Sequence, residues 1–309
     1  MSKEEHESAW FGGRDGRFVV FRVNRRPLDP PDGLFPREPG GVFDHFQRML
    51  APGYPVSTQG KAERIWRVGG IETDPDLQLM TGQIGWQSGA VSVGDRWSDD
   101  DKAYHPGPDG PHGDRALPFG FDGETRLLTV LRDSQIKATT IAGVLQKILQ
   151  ANEDELDPED QTTAWAVEPV LDKVEFIAWL KSVDIVQKVQ FVAKLPNPEP
   201  KDAFAELSER MKARRGTTFI EEMSSDRPSG LVGIQHDRDF RQAVAMGQHG
   251  FAELKGQGRR GERPSSYNQA DNVATEAVGA LPHDWATVRG LVKDLLRGKL
   301  RRFMEEGDG

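Results

Sequence analysis

Cationic and glycine residues are concentrated in one short stretch of the chain, residues 255–263, with the sequence KGQGRRGER. Its cations are Lys255, Arg259, Arg260 and Arg263, and they leave a local charge of +3 in a chain whose net charge is −9. Three glycines in six residues allow the backbone to approach a ligand and to point N–H groups at phosphate oxygens. The stretch therefore predicts contact with phosphate or nucleic acid. The alternative is a mobile hairpin tip whose charges are solvated.

The residues that follow this stretch are suited to extend such a site. Ser265, Ser266 and Asn268 offer hydrogen bonds, and Tyr267 offers a ring on which a base can stack. No Gly-Lys-Ser/Thr follows the glycines, so the stretch is not a Walker loop, and its spacing does not fit the Rossmann fingerprint.

A second cationic segment lies in a long amphipathic helix predicted near the C-terminus. Arg289, Lys293, Arg297 and Arg301 follow one another at i,i+4 spacing, which places them along one face of that helix. Together with residues 255–263 they predict a basic groove, in which Arg297 and Arg301 contact nucleic acid. The alternative is that the stripe is the solvated face of the helix, with cations near its end that complement the helix dipole.

Hydrolytic chemistry has one candidate cluster, formed by His236, Asp237 and Asp239. One histidine with two carboxylates supplies part of a Mg²⁺ or Mn²⁺ site, and the cluster follows a strand predicted at residues 231–234. Asp237 is equally suited to cap the next helix by accepting a free N–H of its first turn. The chain has no His-Glu-x-x-His, Gly-x-Ser-x-Gly or Pro-Asp…Glu-x-Lys signature, so no metal centre is assigned.

Composition limits the classes of function. The absence of cysteine excludes disulfides, thiolate chemistry and Cys-ligated metals. No apolar run approaches the roughly 18 residues of a membrane helix, and the first residues, MSKEEH, contain no signal-peptide core. We therefore expect a cytoplasmic protein with no membrane partner. The net charge of −9 argues against nucleic acid over the whole surface, although it does not exclude a local basic groove.

The pattern of apolar residues predicts an α+β protein of two domains. Residues 1–151 form a mixed, β-rich domain with a long Gly/Pro/Asp loop at 88–118 and a closing helix, and residues 152–161 form an acidic linker. Residues 162–309 form the second domain, which ends in the C-terminal helix. Its predicted elements follow the β-α-β-β-α-β order of ferredoxin-like folds: strand 185–195, helix 201–214, strand 217–223, strand 231–234, helix 237–248 and strand 251–257.

The element order and three glycines, Gly256, Gly258 and Gly261, resemble the RNA-binding subunits of CRISPR systems. In that family a ferredoxin-like domain carries a glycine-rich basic loop near its C-terminal end. The resemblance covers residues 185–265 and is one of fold, which implies RNA binding and a role in defence only by analogy. The RNA-recognition motif is not matched, because the strands at 189–195 and 231–234 carry one aromatic residue, Phe191.

Three hypotheses about function follow. The first is a bacterial cytoplasmic protein that binds RNA or a single strand, as a subunit of a defence or RNA-processing system without a cofactor. The second is a metal-dependent nuclease or phosphodiesterase, which alone requires a divalent metal. The third is a non-catalytic subunit that meets protein partners through the 88–118 loop, where an exposed Trp97 is suited to anchor an interface. The missing catalytic signatures favour the first and third.

Overall fold

A computed structural model describes residues 15–27, 41–58, 63–88, 95–105, 115–134, 136–156, 163–170, 172–194, 205–216, 218–282 and 284–300. The strands in this part of the chain are β1 (Asp15–Pro27), β2 (Val56–Thr58), β3 (Arg64–Asp74), β4 (Leu79–Ser88), β5 (Arg96–Ser98), β6 (Ala103–His105), β7 (Arg115–Asp122), β8 (Leu127–Leu131), β9 (Thr163–Pro169), β10 (Ile185–Lys194), β11 (Thr218–Ser224), β12 (Ala252–Arg260), β13 (Arg263–Asn268) and β14 (Thr275–Ala280). The helices are α1 (Gly41–Leu50), α2 (Ala138–Leu156), α3 (Lys173–Ser182), α4 (Ala205–Ala213), α5 (Arg238–Gln248) and α6 (Trp285–Leu295), and α6 continues as a wider π-helical turn, Leu296–Leu300. The protein is α+β, with antiparallel sheets.

The larger sheet has the order β14-β1-β8-β7-β4-β3-β2 and is covered by helices on both faces. Phe121 on β7 contacts Phe46 of α1, at a ring separation of 4.2 Å. The neighbouring Gly120 points to the opposite face, where an added Cβ would lie 2.4 Å from Val292 of α6. Because both faces are covered, every residue of β8 is buried, which explains its continuous apolar sequence.

The smaller sheet is inserted between two strands of the larger one. β9 and β14 lie end to end along the same edge of β1, at Phe21–Pro27 and Asp15–Val19 respectively. Where they meet, Val20 accepts a hydrogen bond from the Val170 amide and donates one to the Ala274 carbonyl, and the Ala274 amide donates to Val170. The chain therefore leaves the larger sheet at Val170 and returns beside it at Ala274. We call residues 172–272 the inserted unit.

The inserted unit has its own sheet, in the order β11-β10-β12-β13, and its own hydrophobic core. On β10 the side chains of Val189, Phe191 and Ala193 are buried and alternate with half-buried residues, as the sequence predicts for a strand covered on one face. The core beneath them is completed by Phe176 and Trp179 of α3 and by residues of α4 and α5. Among the described residues, no helix packs on the opposite face, which we call the open face of this sheet; its side chains are exposed or half-buried.

The ferredoxin-like arrangement is not confirmed. The strand predicted at residues 231–234 is absent, because Gly230 and Gly233 adopt positive φ angles of 67° and 73° and the chain there forms a short 3-10 turn, Ile234–His236. The observed order is β-α-β-α-β-β, and β10 pairs directly with β11. The predicted boundary at 152–161 also does not separate the two cores, because β9, β14 and α6 pack in the larger one.

The first residues of the predicted acidic linker are buried and helical. α2 extends to Leu156, and the Glu153 carboxylate accepts a hydrogen bond of 2.7 Å from Nε of Arg25 on β1, with both side chains buried. Asn152 is buried beside it, and its amide donates to the Met49 carbonyl. Residues 157–161 of the predicted linker lie outside the described residues. In the predicted loop 88–118, residues 95–105 form the hairpin of β5 and β6 and β7 begins at Arg115, whereas residues 89–94 and 106–114 lie outside the described residues.

We predict that Glu153→Ala lowers the free energy of unfolding by about 3–5 kcal/mol, because the buried Arg25 guanidinium loses its charged partner. Glu155→Ala is the matched control, since Glu155 belongs to the same acidic run but is exposed; its effect should stay within about 0.5 kcal/mol. Urea unfolding of both variants measures the difference. Equal effects would show that Glu153 is solvated, as a linker residue would be.

Candidate nucleic-acid interface

Residues 255–263 form a regular β-hairpin rather than a flexible loop. β12 and β13 are joined by the two-residue turn Gly261-Glu262, and Gly261 has a φ of 57°, a value that favours glycine. The amide of Gly261 donates a hydrogen bond of 2.6 Å to the carboxylate of Asp184, which precedes β10. This amide is therefore engaged within the protein and is not available to bind phosphate at the turn, in contrast to what the sequence predicted.

Gly256 and Gly258 serve packing inside the sheet. A Cβ at Gly256 would lie 2.3 Å from the Trp179 indole of α3, and a Cβ at Gly258 would lie 2.5 Å from the Ile185 carbonyl. Both residues are buried within β12, which pairs with β10 on one side and β13 on the other. The prediction that they open the backbone to a ligand is therefore wrong at these two positions.

Tyr267 is a core residue and not a stacking platform. Its side chain is 4% exposed, and its ring lies 4.9 Å from Phe176 and 5.9 Å from Trp179, measured between centroids. Burial, with a smaller contribution from Asp172, raises the pKa of its hydroxyl well above the ordinary range. Ser265 is also engaged, since its hydroxyl accepts a hydrogen bond of 3.1 Å from the Trp179 indole. The structure thus contradicts the prediction that Tyr267 contacts nucleic acid.

Three of the four predicted cations remain available at the hairpin tip. Arg259, Arg260 and Arg263 are exposed, and none of them has a carboxylate partner among the described residues. Arg260 donates to the carbonyl of Ser182 at the end of α3, at 2.9 Å, and Arg259 has a longer contact of 3.4 Å to the Glu262 carbonyl. The fourth cation, Lys255, forms an ion pair of 2.9 Å with Glu253. The cations without a carboxylate partner are therefore Arg259, Arg260 and Arg263, which we call the hairpin tip.

The strand register divides the three arginines between the two faces of the hairpin. Arg260 pairs with Arg263 in the last rung, and Arg259 pairs with Pro264 in the rung before it. Because neighbouring residues of a strand point to opposite faces, Arg259 lies on one face and the other two lie together on the other. Two acidic residues, Asp184 and Glu262, also lie at this end of the sheet.

The cationic stripe of the C-terminal helix holds that helix to the larger sheet. Arg289 and Lys293 both pair with Glu72 on β3, the second at 2.8 Å, and Arg297 lies 3.5 Å from Asp74. The hydrogen bond from Lys293, supported by Arg289, lowers the pKa of Glu72. The predicted groove shared with residues 255–263 is not observed. The helix packs on the larger sheet, whereas residues 255–263 belong to the sheet of the inserted unit. Arg301 lies outside the described residues.

Two of the three candidate hydrolytic residues, Asp237 and Asp239, have a structural role. Asp237 caps α5 by accepting a hydrogen bond of 2.8 Å from the Phe240 amide, which confirms the capping interpretation. Asp239 accepts two hydrogen bonds from Arg210, at 2.8 and 2.9 Å, and His236 is exposed. In the described part of the chain, no group of three or more His, Asp or Glu side chains is placed to hold a metal ion.

Trp97 is packed within the chain. A Cβ added at Gly53 or Gly69 would lie 3.1 or 2.5 Å from its ring, the Arg67 guanidinium lies 5.5 Å from its centroid, and its indole N–H donates to Asp99 at 2.9 Å. The interpretation of Trp97 as an exposed interface anchor is therefore not supported, because the ring is half-buried.

Asp184 is the residue of the hairpin tip that sequence reasoning missed. It fixes the turn through the Gly261 amide but lies 77 residues earlier in the chain. No local pattern marks it, since an aspartate before a predicted strand is also typical of an ordinary loop.

A family model described as "Domain of unknown function (DUF4747)" matches residues 95–272. The match covers more than half of the chain, so the chain belongs to this family. It begins at the β5–β6 hairpin and contains the whole inserted unit. A search of the curated proteins finds no match. Among the described residues, no helix combines the length and the apolarity needed to cross a membrane.

We predict that Gly256→Ala lowers the free energy of unfolding by about 1–3 kcal/mol, because the new Cβ collides with Trp179. Gly290→Ala is the control: its Cβ on α6 meets no atom within 4 Å, and the variant should be as stable as the parent or up to about 1 kcal/mol more stable. Thermal unfolding measures both. A parent-like melting temperature for Gly256→Ala would contradict the packing role of this glycine.

Proposed function

We propose that this member of the DUF4747 family binds nucleic acid, RNA or another single strand, through the hairpin tip formed by Arg259, Arg260 and Arg263. The proposal rests on one observation. Three exposed guanidinium groups belong to residues 259–263, at one turn, and none of them has a carboxylate partner in the described part of the chain. A chain with a net charge of −9 that leaves three cations unneutralised at one point is suited to bind an anion there.

The chemistry of arginine favours phosphate as the group that is bound. A guanidinium is always charged and presents donors in a planar fork that matches two phosphate oxygens. It is also more weakly hydrated than an ammonium group, which suits it to such contacts. We therefore expect the tip to contact the sugar–phosphate backbone, with an affinity that falls as the salt concentration rises.

The open face of the inserted sheet gives little support to base recognition. Apart from Arg259, the cations on its described part are paired with carboxylates, as Lys188–Glu222, Lys194–Glu168 and Lys255–Glu253. The register places no aromatic side chain on the described part of this face. Because base stacking requires such a platform, we expect weak sequence preference.

We also propose a cytoplasmic location and a role in a defence or RNA-processing system. Both proposals rest on the sequence alone. The nuclease hypothesis needs convergent metal ligands, which the described residues do not provide. We therefore propose a binding protein.

We predict that changing Arg259, Arg260 and Arg263 together to Ala abolishes measurable binding of single-stranded RNA at physiological salt. Each lost phosphate contact should reduce the log–log salt dependence by about 0.7, so the slope should fall by about 2 for the three. The melting temperature should remain within the range of surface substitutions, about 0.5 kcal/mol for each position. Fluorescence anisotropy across a salt series measures the affinity and the slope.

The matched control changes Lys147, Lys212 and Arg238 to Ala, which removes the same charge from helices α2, α4 and α5. Its affinity should remain close to that of the parent. If the two triple variants bind equally well, the tip is not the site. If the parent binds no RNA or DNA at low salt, the proposed function is wrong.

We predict that Asp184→Asn strengthens binding. The substitution removes a negative charge from the turn but keeps an oxygen that can accept the Gly261 N–H. A single exposed charge interaction of about 0.2–1 kcal/mol corresponds to about 1.4- to 5-fold in affinity. Anisotropy titration at low salt measures this gain, and weaker binding with an unchanged melting temperature would contradict it.

A further inference from the structure

Two like charges face each other at the end of the hairpin. Arg260 and Arg263 are directly paired in the last rung before the turn, and both side chains lie on the same face. Like charges in this position destabilise a sheet unless an anion lies between or beside them. The anionic side chains in or beside the turn are Asp184, whose carboxylate binds the Gly261 amide, and Glu262. The pair is therefore suited to an anion from outside the protein.

The geometry of the sheet limits how a nucleic acid can reach this pair. β12 is paired with β10 as far as Arg259, which lies opposite Ile185, the first residue of β10. The rung of Arg260 and Arg263 thus extends only one residue beyond the sheet. A hairpin this short does not form the protruding ribbon that enters a duplex groove. A single strand of nucleic acid that approaches the end of the sheet can reach the Arg260–Arg263 pair.

The two kinds of phosphate in a strand differ in charge. An internal phosphodiester carries one negative charge, whereas a terminal phosphate monoester carries about −1.5 to −2 at pH 7 and has three strong acceptor oxygens. Arg260 and Arg263 bring two positive charges to this rung; Arg260 uses its Nε to donate to the Ser182 carbonyl and keeps its two terminal nitrogens for a ligand. The match in charge favours the terminal group.

We infer that the Arg260–Arg263 pair binds the phosphate monoester at the end of a single strand, while Arg259 on the opposite face contacts an internal phosphate. This inference rests on the proposed function, because it names the part of the nucleic acid that the same tip binds. The 5′ end and the 3′ end of a strand can both carry this chemistry.

The test compares decamers of oligouridine that carry a 5′-phosphate, a 3′-phosphate or only hydroxyl ends, together with a circular form of the same length. An internal fluorescent label leaves the ends free, and anisotropy gives the affinity of the full chain. We expect one phosphate-ended decamer to bind at least about tenfold more tightly than the hydroxyl-ended and circular forms, which one additional charge-assisted contact supplies. The phosphate-ended decamer that binds more tightly shows whether the protein binds the 5′ end or the 3′ end of the strand.

Single substitutions separate the roles of the three arginines. Arg260→Gln and Arg263→Gln should each remove most of the preference for the phosphate-ended decamer, while Arg259→Gln should weaken all four ligands by the same factor. All three side chains are exposed, and a melting curve of each variant confirms that it is folded. Tight binding of all four ligands with no preference would overturn the inference and leave the proposed function intact. No binding of any ligand at low salt would overturn both.

Discussion

The structure depends on three backbone hydrogen bonds at one point of the larger sheet. Val20 uses both its amide and its carbonyl to hold Ala274 and Val170, and these two residues are also bonded to each other. The chain can therefore build a second sheet of its own between them without breaking the edge of the first. An insertion whose two ends lie in contact adds a folding unit at little cost to its host, since the host strands β9 and β14 stay collinear.

Side-chain contacts around the junction restrict how the inserted unit is oriented. Buried Gln269 donates to the Pro169 carbonyl at 3.1 Å and accepts from the Leu254 amide at 2.8 Å, and so ties β12 to the end of β9. The buried Arg22 guanidinium lies 4.8 Å from the ring centroid of Phe251. From Leu254 to the tip at Arg260 the strand extends about 20 Å. The candidate interface thus lies at the end of β12 that is remote from the larger sheet.

The sequence predicted those features that depend on local periodicity. The predicted strand 185–195 and the closing helix of residues 1–151 are observed as β10 and α2, because burial on one face leaves a direct pattern in the residue types. The role of Gly256 was not predictable in this way. A glycine that admits an indole and one that admits a phosphate look alike in sequence, and Trp179 lies 77 residues away. The same limit applies to Glu153, whose partner Arg25 is on another element.

The charge counted along each cationic segment differs from the charge that the fold leaves without a carboxylate partner. The C-terminal helix has the larger local charge, but its described cations Arg289, Lys293 and Arg297 are paired with Glu72 and Asp74 of β3. The hairpin has the smaller charge, and its tip remains without carboxylate partners among the described residues. A paired cation must first lose its partner before it binds phosphate, whereas an unpaired one gains a partner. The charge that the fold leaves without partners, and not the charge that the sequence contains, is therefore our basis for proposing the hairpin tip as the binding site.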